Sequence, residues 1–437
     1  MRKIIQYILR LLSVAVLAKY RPKIVAITGS VGKSSAKEAI FLVLESSRPG
    51  RVRRNEANLN TEIGVPLTII GGRAAQRKIG LWFVNFLKAV RLIFVKDKSY
   101  PEILILELAA DRPGDIAYLT SFVHPDVAVV TAIGEMPVHL EFFSERDDYI
   151  DEKANIIKSL KPRGTAILNY DDLSVRELYC RVPTDRTRIY YGFQEGAEIR
   201  ISDFSYRVPS SAAEIEEAGM EFKVVYRACD RKLGIQSDLM EDRSVLESAD
   251  FKIVRTLGLP PLYAVLAGIA VGRAFGISLK DMVEAVSKFR SPRHRLELLA
   301  GVKNSIIIDD SYNSSPLAVE SALELLSKFK KNRRLAVLGS MRELGVNTES
   351  AHRLIGRQAA KVAEVLFLVG GEMILAKEEA EKSRKKSGQD LFWFDDSAAA
   401  AKKVEQILQP GDVVLIKGSR SVKMEVVVEE ITQAAIV

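Results

Sequence analysis

The sequence predicts an α/β protein with two successive, mostly parallel sheets, the first larger than the second. Three observations carry this expectation. Apolar, β-rich runs alternate with helical patterns from residue 23 onward, the signature of βαβ units. A polar, proline-containing stretch, "SKFRSPRHRLE", interrupts the alternation, and a second alternating series follows it. At 437 residues the chain is also too long for one ordinary core.

The first twenty residues, "MRKIIQYILRLLSVAVLAKY", read as an amphipathic helix. Ile4, Ile5, Ile8, Leu11, Leu12 and Ala15 recur at helical spacing, with Lys3, Gln6, Arg10 and Ser13 on the other side. The longest uncharged stretch after Arg10 ends at Ala18, far short of the ~20 residues that span a bilayer. Basic residues followed by an apolar run resemble a signal peptide, but the strand "KIVAIT" begins almost at once and leads into a nucleotide loop, so export is not expected. Two readings stay open, because both need the same periodicity. The helix docks on its own protein, or it lies in a membrane interface with Arg2, Lys3, Arg10 and Lys19 near lipid phosphates.

Strand "KIVAIT" and helix "KSSAKEAIFLVLESS" then open the first series, which continues through "EILILEL", "VAVVTAI", the helix "DEKANIIKSL" and "GTAILNY". From about 186 to 256 short alternating strands such as "EIRISDFSY" and "MEFKVVY" predict an antiparallel extension. The helix "YAVLAGIAVGRAF" precedes the boundary. Beyond it, "SIIIDD", "RLAVLGS", "VLFLVGG", "LFWF" and "DVVLIKGS" form a smaller, Rossmann-like unit. The expected divisions are a helical segment over 1–22, a central P-loop-type ATP-binding domain over 23–297 and a C-terminal domain over 298–437.

Hydrophobic residues at 47% and charged residues at 27% fit a soluble globular protein. The net charge of +8 is spread along the chain, with only short runs such as "KFKKNRR" and "KSRKK". It permits an anionic partner without identifying one, and no nucleic-acid partner is expected. Cys180 and Cys229 form neither a metal-ligand spacing nor a disulfide framework, and His124, His139, His294 and His352 form no H-x-x-x-H pair. A reducing, cytoplasmic setting is the simplest reading.

The stretch "AITGSVGKSS" carries the first chemistry. The standard phosphate loop reads G-x-x-x-x-G-K-[ST], but counting back from Gly32 reaches Ile27, and the nearest glycine is Gly29. A strand before it and a helix after it nevertheless supply the context the motif requires. Backbone N–H groups around Gly29 to Lys33, with Ser30 and Ser35, are expected to cradle phosphate at the helix N-terminus. Lys33 would meet the terminal phosphates, and the Ser34 hydroxyl would ligate Mg²⁺. Glu107 closes the run "EILILE" and fits the acidic element that manages the metal.

Seven motifs in order, "TGSVGKSS", "ELAADRPGDIAYLTSFVHPDVAVVTAIG", "HLEFF", "LNYDD", "DDSYNSSP", "LGSMRELG" and "KGSRS", resemble the Mur ligases over nearly all of residues 23 to 430. The resemblance implies an ATP-dependent ligase that phosphorylates a carboxylate and lets an amine displace the phosphate. Within the family it is greatest to the step that adds D-alanyl-D-alanine to a UDP-N-acetylmuramoyl-tripeptide. It implies two magnesium ions held by Ser34, Glu107, His139 and a carbamylated Lys153, with Lys33, His139 and Lys153 catalytic. Arg295, Asp310, Tyr312 and Asn313 would reach the nucleotide, and Asn60, Thr61, Lys417 and Arg420 the substrates. The partners implied are a nucleotide-sugar peptide or other small acceptor and an amino-acid or dipeptide donor.

Departures from the family pattern accompany the likeness. Only about twenty residues precede the first strand, so the separate UDP-gripping domain is expected to be absent. A histidine–asparagine pair is replaced by Pro260 and Pro261, and a following asparagine by Ala264, which changes the donors available to adenine. "EMPV" lengthens the connection before His139, the acidic residue after Lys153 is Asn155, and an aspartate of the "LGSM" motif is Ser340. A ligase for another carboxylate acceptor, or a nucleotide-binding scaffold without turnover, therefore stays open beside the main reading.

Overall fold

The runs "ILILE", "VAVV" and "VVLI" are buried along their whole length, as strands covered by helices on both faces must be. The computed structural model describes residues 2–56, 59–75, 78–227, 245–383 and 390–433; Cys229 and most of "KSRKK" lie outside them. Nine strands form the first sheet: β1 (Lys23–Thr28), β2 (Val52–Arg54), β3 (Ile103–Glu107), β4 (Val127–Val130), β5 (Thr165–Asn169), β6 (Thr187–Gly192), β7 (Ile199–Arg207), β8 (Gly219–Arg227) and β9 (Val245–Val254). Their order is β2-β3-β1-β4-β5-β6-β7-β8-β9. Pairing is parallel from β2 through β7 and antiparallel only at β7–β8 and β8–β9. The antiparallel extension expected from about 186 thus begins later, because β6 pairs in parallel with β5.

The second sheet contains β10 (Glu297–Ala300), β11 (Ile306–Asp310), β12 (Arg334–Gly339), β13 (Val365–Val369), β14 (Asp390–Phe394) and β15 (Val413–Lys417). Their order is β10-β11-β15-β12-β13-β14, with only β10 antiparallel. Central strand β1 lies between β3 and β4, so the loop after it opens at the carboxyl edge of the sheet, where open α/β sheets bind ligands.

Six helices matter for the site and its surroundings: α1 (Arg2–Tyr20), α2 (Lys33–Ser47), α3 (Gly64–Ile70), α4 (Ile79–Phe94), α5 (Asp115–Thr120) and α6 (Arg146–Lys158). On one face of the first sheet α2 packs against the helix Leu259–Ala274, whose apolar circumference explains its burial. The other face is covered by α1, α3, α4 and α6.

The N-terminal helix is docked on its own protein along one side. Leu9, Ser13 and Val16 are buried, and Ile5, Leu12 and Leu17 pack on the same core, so α1 is docked. Ile4, Ile8 and Leu11 of the same expected stripe face solvent instead. The sequence reading passed over α4, "IGLWFVNFLKAVRLIF", entirely. Its C-terminal carbonyls Leu92 and Ile93 each accept a hydrogen bond from Lys19 Nζ at 2.9 Å, a cation placed where the helix dipole favours it. Among the described residues no helix is long and apolar enough to cross a membrane.

Candidate active site

The loop after β1 turns sharply because two glycines permit it. Gly29 has φ 144°, and a Cβ there would meet Thr131 Oγ1 at 2.1 Å; Gly32, at φ 88°, is the N-cap of α2. Ser30 N and Val31 N donate to Ala132 O at 2.7 and 3.2 Å. The first-turn N–H groups of Lys33, Ser34 and Ser35 have no partner within α2 and point out of its N-terminus.

Lys33 Nζ donates to Gly29 O at 2.8 Å and Ser30 O at 3.0 Å, which holds the ammonium over its own loop. Burial and the nearby Lys153 push its pKa down to about 8, against the opposing pull of Glu107. Ser30 Oγ shares a 2.7 Å hydrogen bond with Tyr149 OH, a residue that no motif had indicated.

Glu107, at the end of β3, is buried and is the centre of the acidic side. Ser34 Oγ donates to its two oxygens at 3.1 and 3.0 Å, Asn60 Nδ2 donates at 3.2 Å, and Lys37 Nζ lies 3.3 Å away. Burial raises the carboxyl pKa, but Lys37, Lys33, Arg295 and the Asn60 bond outweigh it and leave it below its ordinary value. An ionised carboxylate beside a serine hydroxyl is a hard oxygen pair of the kind Mg²⁺ uses together with phosphate oxygens and water.

His139 lines the same cleft as that pair. Its Nε2 lies 3.6 Å from Asp111 Oδ1, and its Nδ1 lies 2.5 Å from Glu343 Oε2 without hydrogen-bond geometry. Burial, with Lys33 and Lys153 nearby, holds its pKa well below the ordinary value despite Asp111, so the ring is the neutral, metal-binding form at pH 7. Glu343 belongs to the "LGSMRELG" motif after β12, so this contact joins the loops of the two sheets. Among the described residues no three His, Cys, Asp or Glu side chains converge as a metal cluster. Ser34 and Glu107 therefore fit one ion, and the buried, unbonded His139 Nδ1 fits ligation.

Lys153, on α6, is almost wholly buried. Its Nζ is 3.4 Å from Ala110 O and 4.7 Å from the Tyr149 ring centroid. Burial lowers its pKa to about 8, although Asp111, Glu152 and Asp115 pull the other way. Neighbouring Glu152 caps α5, accepting from Ile116 N at 2.6 Å and Ala117 N at 3.1 Å, while Asn155 Nδ2 donates to it at 3.3 Å.

The second sheet supplies the opposite wall. Asp310 and Lys417 are register partners at the ends of β11 and β15, and their side chains meet at 2.5 Å. Burial raises the Asp310 pKa; Lys417 and Arg295 oppose this but do not overcome it. Lys417 Nζ also donates to Asn313 O at 3.0 Å. The lysine expected to touch substrate thus secures the "DDSYN" turn while still lining the cleft. Arg295 stacks on Tyr312 at 4.4 Å, and Arg420 lies 5.6 Å from the same ring.

Ser30, Gly32, Lys33, Ser34, Ser35, Asn60, Glu107 and His139 line one cleft with Arg295, Asp310, Tyr312, Asn313 and Lys417. Gly29, Thr61, Lys153 and Arg420 fall outside this lining. Thr61 O is bonded to Val65 N as α3 begins, and the Arg420 side chain is mostly exposed. Pro260 and Pro261 line the cleft from the first turn of their helix, where a missing N–H costs nothing. Sequence reasoning missed Asp111 and Glu343, both inside quoted motifs, and Lys37, one helical turn beyond Lys33.

A phosphate loop and an opposing wall from a second α/β sheet define a nucleotide-dependent enzyme of two α/β units. Over residues 27–225 the chain matches the Mur ligase middle domain, and over 294–420 the glutamate ligase domain of Mur ligases. The chain belongs to the Mur ligase family. It is 26% identical to the UDP-N-acetylmuramoyl-tripeptide–D-alanyl-D-alanine ligase of Bacillus subtilis, over 98% of this chain and 79% of that protein. Identity to the Mycobacterium leprae ligase of the same name is 29%, over 91% of this chain and 71% of that one. The MurF ligase of Thermotoga maritima, solved in complex with ADP, superposes with a TM-score of 0.72 at 27% identity, covering 97% of this chain and 83% of that structure.

Proposed function

We propose that this protein is an ATP-dependent ligase that adds D-alanyl-D-alanine to a UDP-N-acetylmuramoyl-tripeptide in peptidoglycan synthesis. An oxygen of the acceptor carboxylate attacks the γ-phosphorus, and ADP leaves. The donor amine then attacks the acyl carbon, the C–N bond forms, the C–O bond to phosphate breaks, and the ammonium proton is released. The observation that supports this reading best is the single cleft in which Lys33, Ser34 and Glu107 face Arg295, Tyr312, Asn313 and Asp310.

In this reading Gly29, Ser30, Gly32 and Ser35 shape the loop that holds ATP, and Lys33 neutralises its terminal phosphates. Magnesium, held by Ser34 and Glu107 and, for a second ion, by His139, would offset the charge that builds on transferring phosphate. Asn60 is the acceptor-side contact, with Thr61 behind it, and Arg420 is a rim contact. Lys153 is carbamylated: its lowered pKa leaves neutral amine near pH 8, which adds CO₂, loses a proton and becomes a carboxylate. That change also removes a cation from beside Lys33. Residues 1–22, 23–297 and 298–437 are the working divisions of a cytoplasmic protein whose residues 1–20 touch the membrane peripherally.

Phosphate release by the purified chain tests the reading. Release should rise at least tenfold when acceptor tripeptide and D-alanyl-D-alanine are both present. Release that ignores both substrates would point instead to another acceptor or to a nucleotide-binding scaffold.

A further inference from the structure

Eleven of the seventeen large hydrophobic side chains exposed among the described residues lie on α1, on α4 or immediately after α4. This is a concentrated surface, unlike the scattered single hydrophobics normal for a soluble protein. One side of α4 is docked through Asn85, Ala89 and Leu92. The other presents Phe83, Leu87, Val90 and Phe94 at helical spacing, with Phe83 64% and Phe94 81% exposed. A helix apolar on both sides calls for a cover that the described residues do not supply. Adjacent α1 adds Ile4, Tyr7, Ile8, Leu11 and Val14.

The charge around these helices selects the cover. Residues 1–21 and 73–96 carry eleven basic residues and no acidic one, while the whole chain has a net charge of only +8, so the remainder is net acidic. Lys3, Lys19, Lys78, Lys88, Arg91 and Lys96 are exposed. Apolar stripes set among cations fit the boundary between acyl chains and anionic headgroups, where each basic residue contributes about a fivefold gain in binding. A second copy of this chain would bring the same cations to the same face, and like charge opposes that pairing.

We propose that α1 and α4 together form a docking surface for a bilayer of anionic phospholipid, with both helices lying in the interface. This extends the peripheral contact proposed for residues 1–20 to a second helix, and it stands apart from the ligase reading because vesicle binding needs no turnover. The surface also adjoins the cleft, since Gln6 Nε2 on α1 donates to Glu62 Oε1 at 2.7 Å, two residues from Asn60. Docking therefore brings the acceptor-side loop close to the bilayer.

Co-sedimentation of the full chain with vesicles tests the proposal, using equimolar phosphatidylglycerol and phosphatidylcholine against phosphatidylcholine alone. The anionic vesicles should bind the protein at least tenfold more tightly at low salt, with the difference shrinking at high salt. The variant Phe83→Ser/Leu87→Ser/Phe94→Ser should lose at least tenfold of that binding, as should Lys3→Glu/Arg91→Glu/Lys96→Glu. Unchanged thermal unfolding of both variants shows that they remain folded. No binding to the anionic vesicles, or binding that the serine variant leaves intact, overturns the proposal. A protein that sediments as a dimer, reverts to monomer in the serine variant and ignores vesicles would show that a second copy covers this face, and would also overturn it.

Discussion

The nucleotide cleft and the α1–α4 surface handle their charged and apolar groups in opposite ways. In the cleft the charges are buried and internally matched: Glu107 with Ser34, Asn60 and Lys37, Asp310 with Lys417. On α1 and α4 Lys3, Lys19, Lys88 and Arg91 are exposed, and apolar side chains stand beside them in solvent. The difference teaches what each region is built to meet. A small anionic ligand needs preset donors held by a rigid shell. An extended partner needs area and charge of one sign.

The largest effect should come from the cleft. Lys33→Ala should lower ATP turnover about a thousandfold, or about 4 kcal/mol of barrier, while thermal unfolding stays near that of the parent chain. Turnover within threefold of the parent in a folded variant would remove the loop from catalysis and end the contrast with the surface.

Lys153, buried outside the cleft lining, tests the cost of a buried cation. Its folded pKa of about 8 lies below the ordinary lysine value of 10.5. Between these values the unfolded chain binds more protons, so this group makes stability rise with pH from about 8 to 10.5. Below pH 8 the folded protein bears the full cost of the buried cation, about 3 kcal/mol. In CO₂-free buffer Lys153→Met should therefore raise stability at pH 7 by an amount of that order and flatten the rise, as denaturant titrations would measure. The same position should matter to catalysis. Lys153→Ala should lose about thirtyfold in turnover, or about 2 kcal/mol, and acetate or formate should restore part of it. A near-normal Lys153→Ala variant would leave the lysine a structural residue.

The smallest effect sharpens the contrast from the other side. Phe83→Ser/Leu87→Ser/Phe94→Ser should change ATP turnover in solution by less than about twofold, because surface changes remote from the chemistry leave the transition state untouched. A tenfold loss without vesicles would mean that α4 supports the cleft directly.

These two regions also differ in how far the sequence revealed them. The phosphate loop, Glu107 and the "DDSYN" turn lie at strand ends in short contiguous motifs, where residue type and local geometry are fixed together. Contacts between distant segments were not legible: His139 meets Glu343 about two hundred residues away, and Lys417 turns out to hold Asp310 rather than stand free. Periodicity showed that α1 is a helix, but it cannot say which of two apolar sides is docked. For α4, inserted between recognised motifs, no motif marked it out.

Oxygen labelling of the acceptor tests the acyl-phosphate ligase most directly. The acceptor tripeptide is prepared with ¹⁸O in its terminal carboxylate and incubated with the full chain, ATP, Mg²⁺ and D-alanyl-D-alanine. Mass spectrometry should find one ¹⁸O in each phosphate released, one ADP per amide formed, and no more than about one ADP per enzyme when the dipeptide is withheld. Label in AMP, unlabelled phosphate beside the amide, or ATP hydrolysis with no amide at all would contradict it.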